Sequence, residues 1–256
     1  MSASRADRRR LDDLIVERDL APDRAAAAAL LLAGRVLVGS GDGARRDRKP
    51  GETVEAGTEL RLIEGRHYVS RGAEKLAAGL DAFGIDPQGR SCLDVGASTG
   101  GFTDLLLQRG AARVYALDVG RGQLAESLRG DPRVVSLERT HAARLDPLHP
   151  RAVALPEPVS LAVIDVSFIS LTRVLGGVRA ALAPEGEVVA LVKPQFEVEA
   201  RHAPGGVVRE ESARRAALAR VSDHARANGF EVGEAIDSPL TGPAGNRELL
   251  LHLRRA

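Results

Sequence analysis

Apolar positions recur along the chain in two rhythms, and their alternation is its strongest structural signal. Short apolar runs at Cys92–Val95 (CLDV), Arg113–Asp118 (RVYALD), Arg133–Leu137, Val159–Asp165 (VSLAVID) and Glu187–Lys193 (EVVALVK) read as buried parallel strands. Pro194, which has no N–H for a ladder, stops the last of them. Between and after these runs lie segments of helical spacing, Thr99–Arg109, Gln123–Arg129, Leu171–Leu182 and Glu210–Asn228. Such alternation predicts a doubly wound parallel α/β sheet. Phe230–Ile236 and Glu248–Leu253, joined by the turn PLTGPAGN, predict a closing hairpin with an antiparallel edge strand. A helix from Arg71 to Phe83 precedes the first strand. Leu76, Leu80 and Phe83 form its apolar stripe, and Arg71 and Lys75 share a different face.

The first quarter has another pattern. A helix is expected over residues 5–20. A second, Arg24–Ala33, is capped by Asp23 and closed by Gly34. Strands follow at Arg35–Gly39 and Thr58–Ile63, separated by a polar, basic turn. The expected organisation is a small α+β domain over residues 1–63, a linker over 64–70 and the α/β domain over 71–256.

Composition narrows the class. Net charge is +1, so any nucleic-acid surface must be local rather than global. A single cysteine excludes internal disulfides and fits a reducing compartment. The charged N-terminus has no apolar core of a secretory signal, and no apolar stretch is long enough to span a membrane. A soluble cytoplasmic monomer without a membrane partner is expected. Only three of the 36 basic residues are lysines, Lys49, Lys75 and Lys193. Where arginine serves every general need for a cation, a retained lysine draws attention, because only lysine loses its proton readily when its surroundings demand it.

The chemistry centres on SCLDVGASTGGFTD, residues 91–104, a strand, a glycine-rich turn and the start of a helix. A dinucleotide fingerprint places a glycine where this chain has Ser98, so that backbone can approach a pyrophosphate. Here the glycines are Gly96, Gly100 and Gly101, with Asp94 two places before the first. A carboxylate at this turn suits the amine and sulfonium of S-adenosylmethionine better than a pyrophosphate, although a dinucleotide or a plain structural turn remains an alternative. Ligands of open α/β sheets bind beyond the carboxyl ends of the strands. The residues ending four strands are Asp94, Asp118, Asp165 and Lys193, a costly choice for structure alone. Asp118 falls where a carboxylate takes the hydroxyls of a cofactor ribose. No metal site is expected.

For a methyl donor, the sequence also constrains the acceptor. Methylation of pyrimidine carbon generally uses a cysteine, and Cys92 lies inside the first strand. Base-amine methylation commonly uses an Asn/Asp-Pro-Pro-aromatic run where this chain has Asp165-Val166-Ser167-Phe168. An oxygen acceptor remains. A ribose hydroxyl is a weak acid, and a lysine held among carboxylates and another cation can help it lose its proton. Lys193 with Asp165 beside it is placed for that task, with Lys75 and Glu248 able to reach the same crevice.

Lys75 in SRGAEKL, Asp165 in IDVSFISL, Lys193 in LVKPQFE and Glu248 in GNREL resemble the Lys-Asp-Lys-Glu tetrad of FtsJ-like ribose 2′-O-methyltransferases. Two helices, GRVLVGS, a basic turn and a late strand over residues 8–63 resemble the RNA-binding domain named after ribosomal protein S-four. Together with DVGASTGGFTD, nearly the whole chain resembles the TlyA (hemolysin A) family of ribosomal RNA methyltransferases. The resemblance implies a Rossmann-like methyltransferase sheet, S-adenosylmethionine as donor, and 2′-O-methylation of cytidine in small- or large-subunit ribosomal RNA. It implies that Lys193 and Asp165 activate the hydroxyl and that Lys75 and Glu248 position the ribose. Asp94, Gly96, Ala97, Ser98, Gly100, Gly101, Phe102 and Asp118 would hold the donor, Phe102 as a wall of its pocket. Arg10 and Arg24 would meet RNA phosphate. The chain departs from the family's usual pattern at Asp23-Arg24 (usually Ser-Arg), at the linker Arg66-His67-Tyr68-Val69 (usually Arg-x-Trp-Val) and at Thr140-His141-Ala142-Ala143-Arg144 (usually Thr-Asn-Ala-Arg). A non-catalytic ribosome-assembly factor with a vestigial fold is the alternative function. A pore-forming activity, as the hemolysin name suggests, finds no signal, span or strongly amphipathic basic helix in the sequence.

Overall fold

The computed structural model describes residues 7–46, 48–63 and 68–256, apart from the side chain of Asp42. The chain divides into two compact units, Met1–Arg71 and Gly72–Ala256. Arg66 and His67 of the expected linker lie outside the described residues.

The first unit contains β1 (Arg8–Arg10), α1 (Leu11–Glu17), α2 (Arg24–Leu32), β2 (Val36–Val38), β3 (Thr53–Glu55) and β4 (Leu60–Leu62). β1 pairs antiparallel with β3, and β2 with β4. The first helix is therefore shorter than its spacing suggests, because Arg8–Arg10 pair with Thr53–Glu55 and the helix starts only at Leu11. β3 is hidden in a polar stretch, since three residues with one apolar side chain carry no visible alternation. That side chain, Val54, joins Leu11, Leu14, Ile15, Ala27, Leu31, Val36 and Val38 in the core. Asp23 caps α2 as its sequence predicts, accepting the Ala26 N–H at 2.8 Å.

The second unit is a seven-stranded sheet built from β5 (Ser91–Val95), β6 (Arg113–Leu117), β7 (Val134–Leu137), β8 (Val159–Ile164), β9 (Leu182–Val192), β10 (Phe230–Asp237) and β11 (Leu249–Arg255). Its helices are α3 (Gly72–Phe83), α4 (Gly101–Gln108), α5 (Glu126–Arg129), α6 (Leu175–Ala181), α7 (Pro194–Glu197) and α8 (Glu211–Ala227). The spatial order is β10-β11-β9-β8-β5-β6-β7, parallel from β9 to β7. β11 runs antiparallel between β9 and the edge strand β10. The expected doubly wound sheet with its antiparallel hairpin is thus present. Strand interiors are apolar because both faces are covered: Leu93, Tyr115, Leu161, Val163 and Val188 are all fully buried.

One strand exceeds its sequence signal. β9 begins five residues early, at Leu182, and its pairing with β8 slips between Val159 and Leu161. The Ala183-Pro184-Glu185-Gly186 segment reads as a turn, and the irregularity in the ladder is where Pro and Gly are tolerated. Among the described residues, no helix is long and apolar enough to cross a membrane.

Candidate active site

The strand order reverses between β5 and β8, and a cavity of about 460 Å³ opens there beyond the carboxyl ends of the strands. Four segments that follow strands line it. After β5 come Gly96 and Ser98, after β6 come Asp118 and Val119, after β7 come His141 and Ala142, and after β8 comes the run Asp165–Ile169. Gly96 has φ +87°, and a Cβ there would sit 2.4 Å from the Asp165 carbonyl oxygen, so only glycine lets these two loops touch. Gly100, at φ +98°, ends the turn with the Leu124 and Leu128 side chains filling the space a Cβ would need. Helix α4 accordingly starts at Gly101 rather than Thr99. Asp118 is held by two backbone donors, the Ser98 N–H to Oδ2 at 2.8 Å and the Gly120 N–H to Oδ1 at 2.6 Å. A carboxylate has about four acceptor positions, so both oxygens keep capacity for hydroxyl groups in the cavity.

Beside this cavity stand two lysine–carboxylate pairs. Lys193, directly after β9, lies 2.5 Å from Asp165 Oδ1, directly after β8, and its ammonium also donates to Ser167 Oγ at 2.7 Å. Lys75 on α3 donates to Glu248, which directly precedes β11. The second pair is buried, Lys75 at 9% exposure and Glu248 at 1%. β11 sets Leu249 opposite Val192, which leaves Glu248 and Lys193 as the next opposed positions. The Asp165 N–H donates to the Val95 carbonyl at 2.9 Å, fixing that residue to the end of β5. Two cations and two anions, as two pairs, are therefore brought to the end of the sheet where β8 and β9 finish and β11 begins. α3 differs from its helical reading here. Lys75 lies on the buried side with Ala73, Leu76, Gly79 and Leu80, and its stem packs instead of reaching solvent.

The FtsJ-like methyltransferase family matches residues 68–255. The 16S/23S rRNA (cytidine-2'-O)-methyltransferase TlyA of Mycobacterium tuberculosis is 47% identical over 252 residues, 97% of this chain and 91% of that protein. The chain belongs to the TlyA family of FtsJ-like methyltransferases. Among solved structures, this family member is similar to one described as a hemolysin from Streptococcus thermophilus, at 41% identity and TM-score 0.73, covering 98% of this chain and 90% of that one. An S-adenosylmethionine-dependent methyltransferase from Listeria monocytogenes, 15% identical, shares the fold at TM-score 0.52 over 72% of this chain and 98% of the other.

Within this FtsJ-like methyltransferase the expected donor residues separate into two groups. Gly96, Ser98 and Asp118 line the cavity. Asp94, Ala97, Gly100, Gly101 and Phe102 do not; all but Ala97 and Gly100 belong to β5 or α4, and all are buried. Phe102 faces the protein from α4, so the aromatic ring at the cavity is another one, Phe168. That ring is 91% exposed, sits on backbone at φ +64° and packs at a tilt against Phe196, with centroids 5.4 Å apart. His141 also lines the cavity, so one departure from the family's usual sequence falls on the site itself. The sequence marks His141 only as part of that departure and Phe168 only as part of the IDVSFISL run, with no role assigned to either. Cys92 is buried, and burial pushes its thiol up to about 12, so no thiolate nucleophile is available there.

Asp94 is fully buried beneath the turn, with Oδ2 accepting the Thr103 hydroxyl at 2.7 Å and Oδ1 without a hydrogen-bond partner. It fastens the turn to α4 instead of facing the cavity, which corrects the expectation of a direct partner for the donor amine. Burial first, and then the nearby Asp165 and Asp118 charges, raise its pKa from 3.8 to about 7, against the Thr103 hydrogen bonds. A carboxyl group raised in the folded state contributes fully below its ordinary pKa, and that contribution is lost as pH rises to about 7. Asp94→Asn, which keeps an acceptor for Thr103, should gain in melting temperature relative to the parent as pH rises from 4 to 7, and no further above that. Thermal melts at several pH values check this, and a pH-independent difference would contradict it.

In the first unit, Arg10 and Arg24 converge on one acidic pair. Arg10 Nη2 donates to Asp12 at 2.7 Å, and Arg24 donates to Asp12 at 3.3 Å and Asp13 at 3.0 Å. The Arg10 hydrogen bond is the main influence holding the Asp12 carboxyl below its usual range. Both guanidinium side chains remain about half exposed. Asp23, the departure beside Arg24, spends its carboxylate on the α2 cap.

Proposed function

We propose that this chain methylates the ribose 2′-hydroxyl of cytidine in ribosomal RNA, with S-adenosylmethionine as the donor. The observation that carries the reading is the pair of lysine–carboxylate contacts beside an open cavity at the sheet's switch point. The Mycobacterium tuberculosis relative, named for that reaction on 16S and 23S rRNA, supports the same substrate class.

The residues present fit the donor. The cavity volume lies within the range of small-molecule sites. Asp118 offers free acceptor positions for ribose hydroxyls, and the bare backbone at Gly96 leaves room for the methionine part. When bound, S-adenosylmethionine supplies an electrophilic methyl group. Lys193, once its ammonium has given up a proton to solvent, takes the proton of the attacking hydroxyl as a neutral amine, held at that point by Asp165 and Ser167. Lys75 and Glu248, buried and mutually paired, orient the acceptor ribose from the other side. Arg10 and Arg24 bind RNA phosphate, exchanging Asp12 and Asp13 for the polyanion.

The deciding experiment incubates the purified protein with each ribosomal subunit and labelled donor, then maps any methylated ribose by mass spectrometry. Methylated cytidine is the expected product. No incorporation into either subunit would overturn the rRNA assignment and favour a binding factor. For the phosphate contacts, the double substitution Arg10→Ala/Arg24→Ala should weaken binding to ribosomal RNA and lower the slope of log affinity against log salt by about two. An unchanged slope would remove both arginines from the interface.

A further inference from the structure

We infer that Asn246 is a positioning residue for Glu248, clamping the chain before β11 so that the carboxylate stays against Lys75; the inference rests on the methyl-transfer reading. Asn246 is 1% exposed, and both polar atoms of its side chain are hydrogen-bonded. Its Oδ1 accepts the Val208 N–H at 2.9 Å, and its Nδ2 donates to the Gly206 carbonyl at 2.8 Å. The amide thus acts as one rung of a ladder for a segment with no strand partner, whose Gly205 and Gly206 both have positive φ. The Asn246 carbonyl in turn accepts the Gly242 N–H at 2.8 Å.

Gly242 is the second half of the device. A Cβ there would lie 2.6 Å from Glu248 Oε1, so its bare backbone walls the carboxylate on the side away from Lys75. Asn246 therefore holds both the chain leading into Glu248 and the glycine that packs on it. The neighbouring positions are fixed independently. Arg214, 7% exposed, donates to the Arg247 carbonyl at 3.3 Å and pairs with Glu211 and Asp237. The Ser238 N–H donates to the Glu248 carbonyl at 2.9 Å. Three consecutive residues, 246 to 248, are thereby each anchored to a different part of the domain. Such immobilisation matters for a group that must orient a reactant, because misplacement by about 1 Å can cost on the order of a hundredfold in rate.

The test is a double-mutant cycle of the full-length protein with Asn246→Ala and Glu248→Gln, reading kcat, donor affinity and melting temperature. Asn246→Ala is expected to lower kcat roughly 10- to 100-fold with donor affinity within about twofold of the parent. In the Glu248→Gln background the same change should lower kcat less than about threefold, because the group it positions is already impaired. Equal losses in both backgrounds, or donor affinity falling in step with kcat, would overturn the inference. If Asn246→Ala does not fold, Asn246→Asp keeps the acceptor for Val208 and removes the donor to Gly206, and the same cycle is read with it. The melting-temperature cycle needs no activity. Coupling there with a wild type that transfers no methyl would keep the clamp and discard the methyl-transfer reading, whereas additive melting shifts would discard the clamp.

Discussion

Lys193→Ala is expected to lower the rate of methyl transfer by about 10²–10⁴-fold while leaving donor affinity within about twofold. The size follows from the task. A ribose hydroxyl holds its proton at neutral pH, and loss of the proposed base removes its contribution to proton transfer. Donor binding should survive because Lys193 stands beside the cavity and does not line it. Folding should survive as well, since Asp165, the carboxylate left behind, keeps 25% side-chain exposure and can be hydrated. Lys193→Arg sharpens the measurement. Arginine keeps the charge opposite Asp165 but does not give up its proton, so a lysine acting as base predicts an inactive variant and a lysine acting only as a cation predicts an active one. Rates within tenfold of the parent for Lys193→Ala would remove this residue from the chemistry.

The second large effect concerns stability. Glu248→Ala leaves Lys75 as a charge at 9% exposure without its partner, and breaking a buried pair in this way costs about 3–5 kcal/mol. For a domain of this size the melting midpoint should fall by roughly 10 °C, with activity lost in parallel. Replacing both partners distinguishes the two consequences. The pair Lys75→Met/Glu248→Leu removes the uncompensated charge and should recover most of the melting temperature while remaining inactive, because apolar side chains cannot orient a ribose. Thermal melts and methyl-transfer assays on the parent and the two variants check both parts. A double substitution as unstable as Glu248→Ala alone would show that the cost lies in packing and not in the orphaned ammonium.

Much of the fold is legible in local pattern. Each run from Cys92 to Lys193 became a strand of the central sheet, and the order of strands and helices matched the alternation. What failed did so where local signal is weak. β3 has a single apolar residue, and β1 consists of three arginines whose extended backbone exists only because Thr53–Glu55 pairs with it. Within the candidate site, the four tetrad residues were visible as ionisable groups at or near strand ends and as rare lysines. Their pairing was not: Lys75 meets Glu248 across 173 residues of sequence, and the helical pattern alone assigned Lys75 away from the apolar stripe.

The sequence by itself determined the strand–helix alternation, the glycine turn and the ionisable residues at the strand ends, because these follow from side-chain period and from the freedom of glycine at positive φ. Tertiary structure alone decided that Asp94 is buried under the turn, that Phe168 and not Phe102 borders the cavity, and that Asn246 braces the chain before Glu248. Those outcomes depend on which strands become neighbours and in what register, and register between distant segments is set by the packed sheet as a whole.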